Sequence, residues 1–198
     1  MSPINKELVA RKSAVERRQE IGMAVLVLIG IDGAKALTAA KISAHLKLSA
    51  GAIFRHFASL DEMLEAAVDL AIDLLEASIP SKALPPKERL RQLGLNRIQT
   101  VRTHPGISWL LLSDQGLLGV PEPASKRIRG LVRRSRKFIS DSFSEANDTG
   151  CLAQGVDPKV AAILFIGATH ALIRSGNQRS APRPEVVLES LMGLLFIG

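Results

Sequence analysis

A chain of 198 residues, 46% of them hydrophobic, can bury roughly 70% of its unfolded surface in one or two domains, which excludes a disordered chain. A formal charge of +7 and a pI near 10.0 point to an anionic partner such as nucleic acid. The single cysteine, Cys151, excludes an internal disulfide and any Cys-x-x-Cys pair, as expected of a reduced, cytoplasmic protein.

The most apolar run, residues 23–29, is far short of the roughly 20 residues that span a membrane. It follows the mixed-charge segment Glu16-Arg17-Arg18-Gln19-Glu20 and precedes no obvious cleavage site, so a buried helix is expected there rather than a signal peptide or membrane anchor. Ile21, Val25, Leu28 and Ile29 share one face of a helix over about 13–31. Thr38 is placed as the N-cap of a short helix to about 45, with Ile42 and Leu46 facing inward. After a tight turn, Ser49 caps the next helix. A further helix starts at Leu60-Asp61-Glu62 and runs to about 79, with the stripe Leu64, Val68, Ala71, Leu75. Beyond the prolines at 80–86, helices are expected near 87–103, 105–117 and 124–146. Asp157-Pro158 opens one to about 173, and the last runs from about 184 to 197. Strand signals are weak, so the fold expected is all-α with about nine helices: an N-terminal three-helix unit over 1–58 and a larger helical domain over 59–198.

Two short helices joined by a tight turn and braced by a longer apolar helix form a helix-turn-helix, whose second helix enters the DNA major groove by its N-terminal end. In LKLSAGAIFRHF, residues 46–57, that helix opens on small residues although Gly51 costs about 1 kcal/mol relative to Ala. Small side chains let the backbone approach base edges and phosphates, and Arg55 and His56 can hydrogen-bond the same backbone. Residues 1–60 carry nine Lys or Arg against four acids, a net +5 of the total +7, so the basic excess sits with this motif.

The stretch LTAAKISAHLKLSAGAIFRHFASLDEML resembles the N-terminal signature of TetR-family transcriptional repressors. Thr38, Ile42-Ser43, Ser49 to Ala52, Phe54 to Phe57 and Asp61-Glu62 match its capping, buried, recognition-helix, aromatic and acidic positions, over about residues 13–75. The resemblance implies a double-stranded DNA operator contacted by Thr38, Lys41, Lys47, Ser49, Ala50, Gly51, Ala52, Phe54, Arg55 and His56. The chain departs from the family at four positions. Lys47 stands where Gly is usual, at a cost on the order of 1 kcal/mol if left-handed. Ala52 and Phe54 replace a Thr and a Tyr, and Leu60 a Lys, which removes two hydroxyls and one phosphate contact; Lys41 or Lys47 is the candidate replacement.

In that family the C-terminal helices form a small-molecule pocket and a dimer interface. The helix at 158–173 is apolar nearly all round, and Gly167, Ala168 and Ala171 would let a partner helix approach. A four-helix homodimer interface with the last helix is expected, the alternative being burial within one subunit. An apolar cavity could be lined by Trp109, Leu111, Leu112, Phe165 and Leu172, with polar contacts from Arg102, His104, Asp114, Gln115 and His170. Lys126, Arg127, Arg129, Arg133, Arg134, Arg136 and Lys137 crowd one helix. They form a solvated face, or else a site for an acidic ligand, a protein partner or a second nucleic-acid contact.

The expectation is a DNA-binding regulator, a repressor released by a small apolar effector. The alternative is an interaction protein of the same fold that acts mainly through protein contacts and binds DNA weakly. The histidines 45, 56, 104 and 170 are scattered, with no HExxH, GxSxG or P-loop pattern, so no enzyme, metal site or cofactor is expected. Cys151 as a nucleophile has no supporting partner.

Overall fold

A computed structural model of the chain describes residues 13–113, 115–176 and 181–197. Its elements are α1 (Ala14–Asp32), a 3-10 turn (Ala34–Ala36), α2 (Ala39–Leu46), α3 (Ala50–Phe54), α4 (Leu60–Ala77), α5 (Pro86–Thr103), α6 (Pro105–Leu112), α7 (Glu122–Asp148), α8 (Pro158–Ser175) and α9 (Pro184–Leu195). The fold is all-α: a helix-turn-helix at the N-terminal end, continued into a larger helical part.

Local signals explain where the helices begin. Ser13 and Glu16 form a reciprocal capping box at α1. The hydroxyls of Thr38, Ser49 and Ser59 accept the N–H groups of Lys41, Ala52 and Glu62, capping α2, α3 and α4. Asp157 caps α8 by accepting from Lys159 N–H at 2.7 Å, with Pro158 in the first turn. The inward stripes then set the packing. Ile21, Val25, Leu26 and Ile29 of α1 meet Leu64, Val68, Ala71 and Leu75 of α4 in one continuous core that reaches Phe165 and Leu188. Each such Val, Leu, Ile or Phe side chain contributes about 1.5–3 kcal/mol on burial.

α1 also crosses α6, and nothing but backbone fits at the crossing. A Cβ on Gly106 would lie 1.9 Å from the Leu26 carbonyl oxygen, and one on Gly30 2.6 Å from the Gly106 nitrogen. The end of α1 that supports the helix-turn-helix is therefore in direct backbone contact with the larger helical part.

One expectation changes, and one open alternative is resolved. α6 stops at Leu112 rather than near 117, because the chain doubles back at 115–119: Gly116 N–H donates to Ser113 and Gly119 N–H to Gln115, and a Cβ on Gly116 would clash with Leu110 O at 2.5 Å. The cationic run on α7 is largely neutralised. Arg127 pairs with Asp69 at 2.7 Å and Glu65 at 3.3 Å, Arg134 pairs with Glu76, Arg129 with Glu122 at 2.6 Å and Lys137 with Asp141 at 2.9 Å. The first two dock α7 onto α4, which makes this a solvated, ion-paired face.

Candidate nucleic-acid interface and ligand cavity

The 47–49 turn is short because Lys47 adopts the left-handed conformation (φ 54°, ψ 41°), and Leu48 N–H then reaches back to Ser43 O at 3.0 Å. Ile42 and Ile53, both 0% exposed, and Phe57 pin α2 and α3 to the core. Arg18 of α1 fixes the exit from α3. Its guanidinium donates to the His56 carbonyl, pairs with Glu62 at 2.8 Å and lies 4.1 Å from the Phe57 ring centroid. Glu62 also accepts the Ala58 N–H at 2.6 Å. That hydrogen bond first, and Arg18 second, hold the Glu62 carboxyl below the usual carboxylate range.

What this bracing leaves outside is one face of α2 and α3. Thr38, Lys41, Lys47, Ser49, Ala50, Gly51, Phe54 and Arg55 are exposed, with Ala52 and His56 partly so. Among the described residues, its own helix's neighbouring backbone aside, no atom lies within 4 Å of a Cβ built on Gly51, so no packing between them demands a glycine there. Phe54 is 47% exposed, unusual for an aromatic ring without an outside partner. Lys41 is held by Asp32 at 2.6 Å, which partly masks one of the two lysines considered as extra phosphate contacts; Lys47 has no ion pair among the described residues.

A cavity of about 160 Å³ opens among α5, α6, α7 and α8. Of the residues expected to line it, Leu111, Leu112, Phe165 and His170 do so. Four do not. Trp109 packs against the 3-10 turn, where a Cβ on Gly33 would sit 3.2 Å from its indole nitrogen and one on Gly119 2.7 Å from its ring. Arg102 donates to Leu172 O at 2.8 Å and lines a separate polar groove with Gln99 and Glu185. His104 occupies the α5–α6 junction, and Gln115 lies exposed in the following turn. Leu172 is buried in the core and does not line the cavity, and Asp114 lies outside the described residues. The cavity adds Arg97, Ser135, Arg136 and Thr169, which sequence reasoning missed. Arg97 lies on the same α5 face as Leu90, Leu93 and Val101, so a cation on an apolar stripe was the available signal.

Two further surfaces are apolar and uncovered. Val160, Ile163 (69% exposed) and Leu164 of α8 and Val186 and Leu194 (74% exposed) of α9 face outward beside Gly167 and Gly193, where a Cβ would meet open space. Among the described residues no helix is long and apolar enough to cross a membrane, and no three metal-ligating side chains come together.

Residues 25–67, which hold the helix-turn-helix, match the family described as bacterial regulatory proteins, tetR family. The nucleoid occlusion factor SlmA of Marinobacter nauticus is 26% identical over 149 residues, 74% of each chain. Among solved structures, the ketosteroid transcriptional regulator KstR2 of Mycobacterium tuberculosis superposes with a TM-score of 0.74 over 96% of this chain and 98% of its own, at 19% identity. AibR in complex with isovaleryl coenzyme A and operator DNA does so with a TM-score of 0.74 over 91% and 98%, at 22% identity. The helix-turn-helix segment thus carries the tetR-family signature, and the chain shares the helical fold of these regulators along nearly its whole length.

Proposed function

We propose that the chain is a cytoplasmic, homodimeric transcriptional repressor. Its α2–α3 face grips an operator duplex, and a small molecule taken up between α5 and α8 releases it. The observation that carries the reading is the open face at Gly51: small residues outward, no packing atom near among the described residues, and arginine and lysine beside it. Residues 1–58 would act as the DNA-binding unit and 59–198 as the effector-binding and dimerisation unit. Ser49, Ala50, Gly51 and Ala52 bring the backbone to the groove. Thr38, Lys47, Arg55 and His56 reach the sugar-phosphate chain, and Phe54 packs against it. The uncovered α8 and α9 stripes support a four-helix interface that sets two recognition helices about one DNA turn apart.

Release follows from the α6 contacts. Leu111 and Leu112 line the cavity, and the other end of the same helix presses on α1 through Gly106. An occupant that favours a different α6 position shifts α1 and with it the spacing of the recognition helices. It does so only to the extent that it binds the two arrangements unequally.

A second reading, an interaction protein with weak DNA binding, draws on the Lys41–Asp32 pair, the missing hydroxyls at 52 and 54, and a curated relative named for nucleoid occlusion. Selection of bound duplexes from random DNA separates the two. The repressor reading expects a palindromic site that is lost on adding effector; recovery of no sequence would leave the interaction protein.

A further inference from the structure

Most of the cavity wall is aliphatic or aromatic, with Leu93, Val101, Leu131, Ile139, Phe165 and Ile173 prominent. Arg97, Ser135, Arg136 and His170 also line it, the last two being exposed at its mouth, and no acid is among the lining residues. Among the described residues Arg97 and Arg136 make no ion pair and no hydrogen bond, and the Ser135 hydroxyl is buried without a partner. The contrast with nearby arginines is sharp, since Arg89 holds Glu145 at 2.7 Å and Arg127 holds Asp69 at 2.7 Å. Burial pulls the Arg97 guanidinium down to about 10. Burial first, then Arg136, Arg174 and Arg97, lower the His170 imidazole. A mostly buried guanidinium without an anion is costly, and the cost is recovered when a carboxylate accepts from it in the bidentate manner.

We propose that this cavity is a carboxylate site. Arg97 and the Ser135 hydroxyl take the head group, Arg136 and His170 complete the positive field around it, and the apolar wall holds a short tail. The volume sets the tail. A cavity of about 150 Å³ accommodates benzene, so this one of about 160 Å³ suits an aromatic or aliphatic group of about six carbons. The inference rests on the effector reading above and specifies its ligand as a small apolar anion rather than a neutral molecule.

The test titrates the full-length protein with benzoate, its neutral isostere benzamide, and inorganic phosphate, by calorimetry and thermal melting. Benzoate should bind about 10-fold to 100-fold more tightly than benzamide, the range expected for hydrogen bonds to a charged group. Arg97→Met should remove that preference and leave benzamide binding in place. The melts guard against a folding artefact: relieved of an unpaired buried charge, Arg97→Met should melt no lower than the parent without ligand. Equal binding of benzoate and benzamide would overturn the carboxylate site while leaving the effector cavity standing. Binding of neither would overturn both, and phosphate binding as tight as benzoate would show a general anion site and refute the apolar-tail requirement.

Discussion

Gly51→Ala separates folding from function at the centre of the candidate interface. Its own helix's neighbouring backbone aside, the new methyl would meet no atom of the described residues within 4 Å, and Gly51 is not in the left-handed region. Replacing glycine by alanine in a helix at a compatible backbone position stabilises by about 0.4–1 kcal/mol, so a urea melt should move slightly upward. If the backbone at 51 lies against a duplex, the same methyl overpacks that contact at a cost of about 1–3 kcal/mol, roughly 5-fold to 150-fold in affinity. Fluorescence anisotropy on a selected duplex reads this. The salt dependence should not change, because no charge is altered. A variant that melts lower, or one that binds DNA as tightly as the parent, would refute the reasoning.

Four further outcomes follow. Gly106→Ala forces a methyl onto the Leu26 carbonyl and should destabilise by about 3 kcal/mol, read by urea melting. Lys47→Gly relieves the left-handed strain and should stabilise by about 1 kcal/mol, while the slope of log affinity against log salt falls by about one if Lys47 meets a phosphate. The Glu62 carboxyl is held low in the folded state, so its contribution is present above the ordinary carboxylate range and is lost as pH falls through its depressed value. Melts from neutral to acid pH should show a steeper loss for the parent than for Glu62→Gln. Ile163→Asp, on an exposed position of α8, should leave the monomer folded but weaken a dimer by about 2 kcal/mol or more, seen by sedimentation as monomer.

Helix starts were legible in the sequence because capping is local: Thr38, Ser49 and Asp157 each bond an N–H two or three residues on. The inward stripes of α1 and α4 were legible for the same reason, as one-dimensional periodicity. The left-handed Lys47 was legible only through the resemblance, since the family usually has Gly at that turn position. What escaped depends on residues far apart in the chain. The α6 overrun at 113–117 contains no proline, and the backbone carbonyls of Trp109 and Leu110 are what make Gly116 necessary. The α7 cations looked unpaired because their partners Glu65, Asp69 and Glu76 lie about 60 positions earlier on α4. Trp109, the single tryptophan, was a candidate for the cavity wall, yet glycines at 33 and 119 make room for it as packing. Arg97 was passed over because one charge on an apolar stripe reads as a lone exception until a cavity is seen beside it.

The account is tested most directly by titrating a selected duplex with the full-length protein across a range of salt concentrations. It predicts tight binding at low ionic strength that weakens linearly in log salt, with a slope set by several phosphate contacts per recognition helix. Failure to bind any duplex at low ionic strength, or an affinity indifferent to salt, would contradict it.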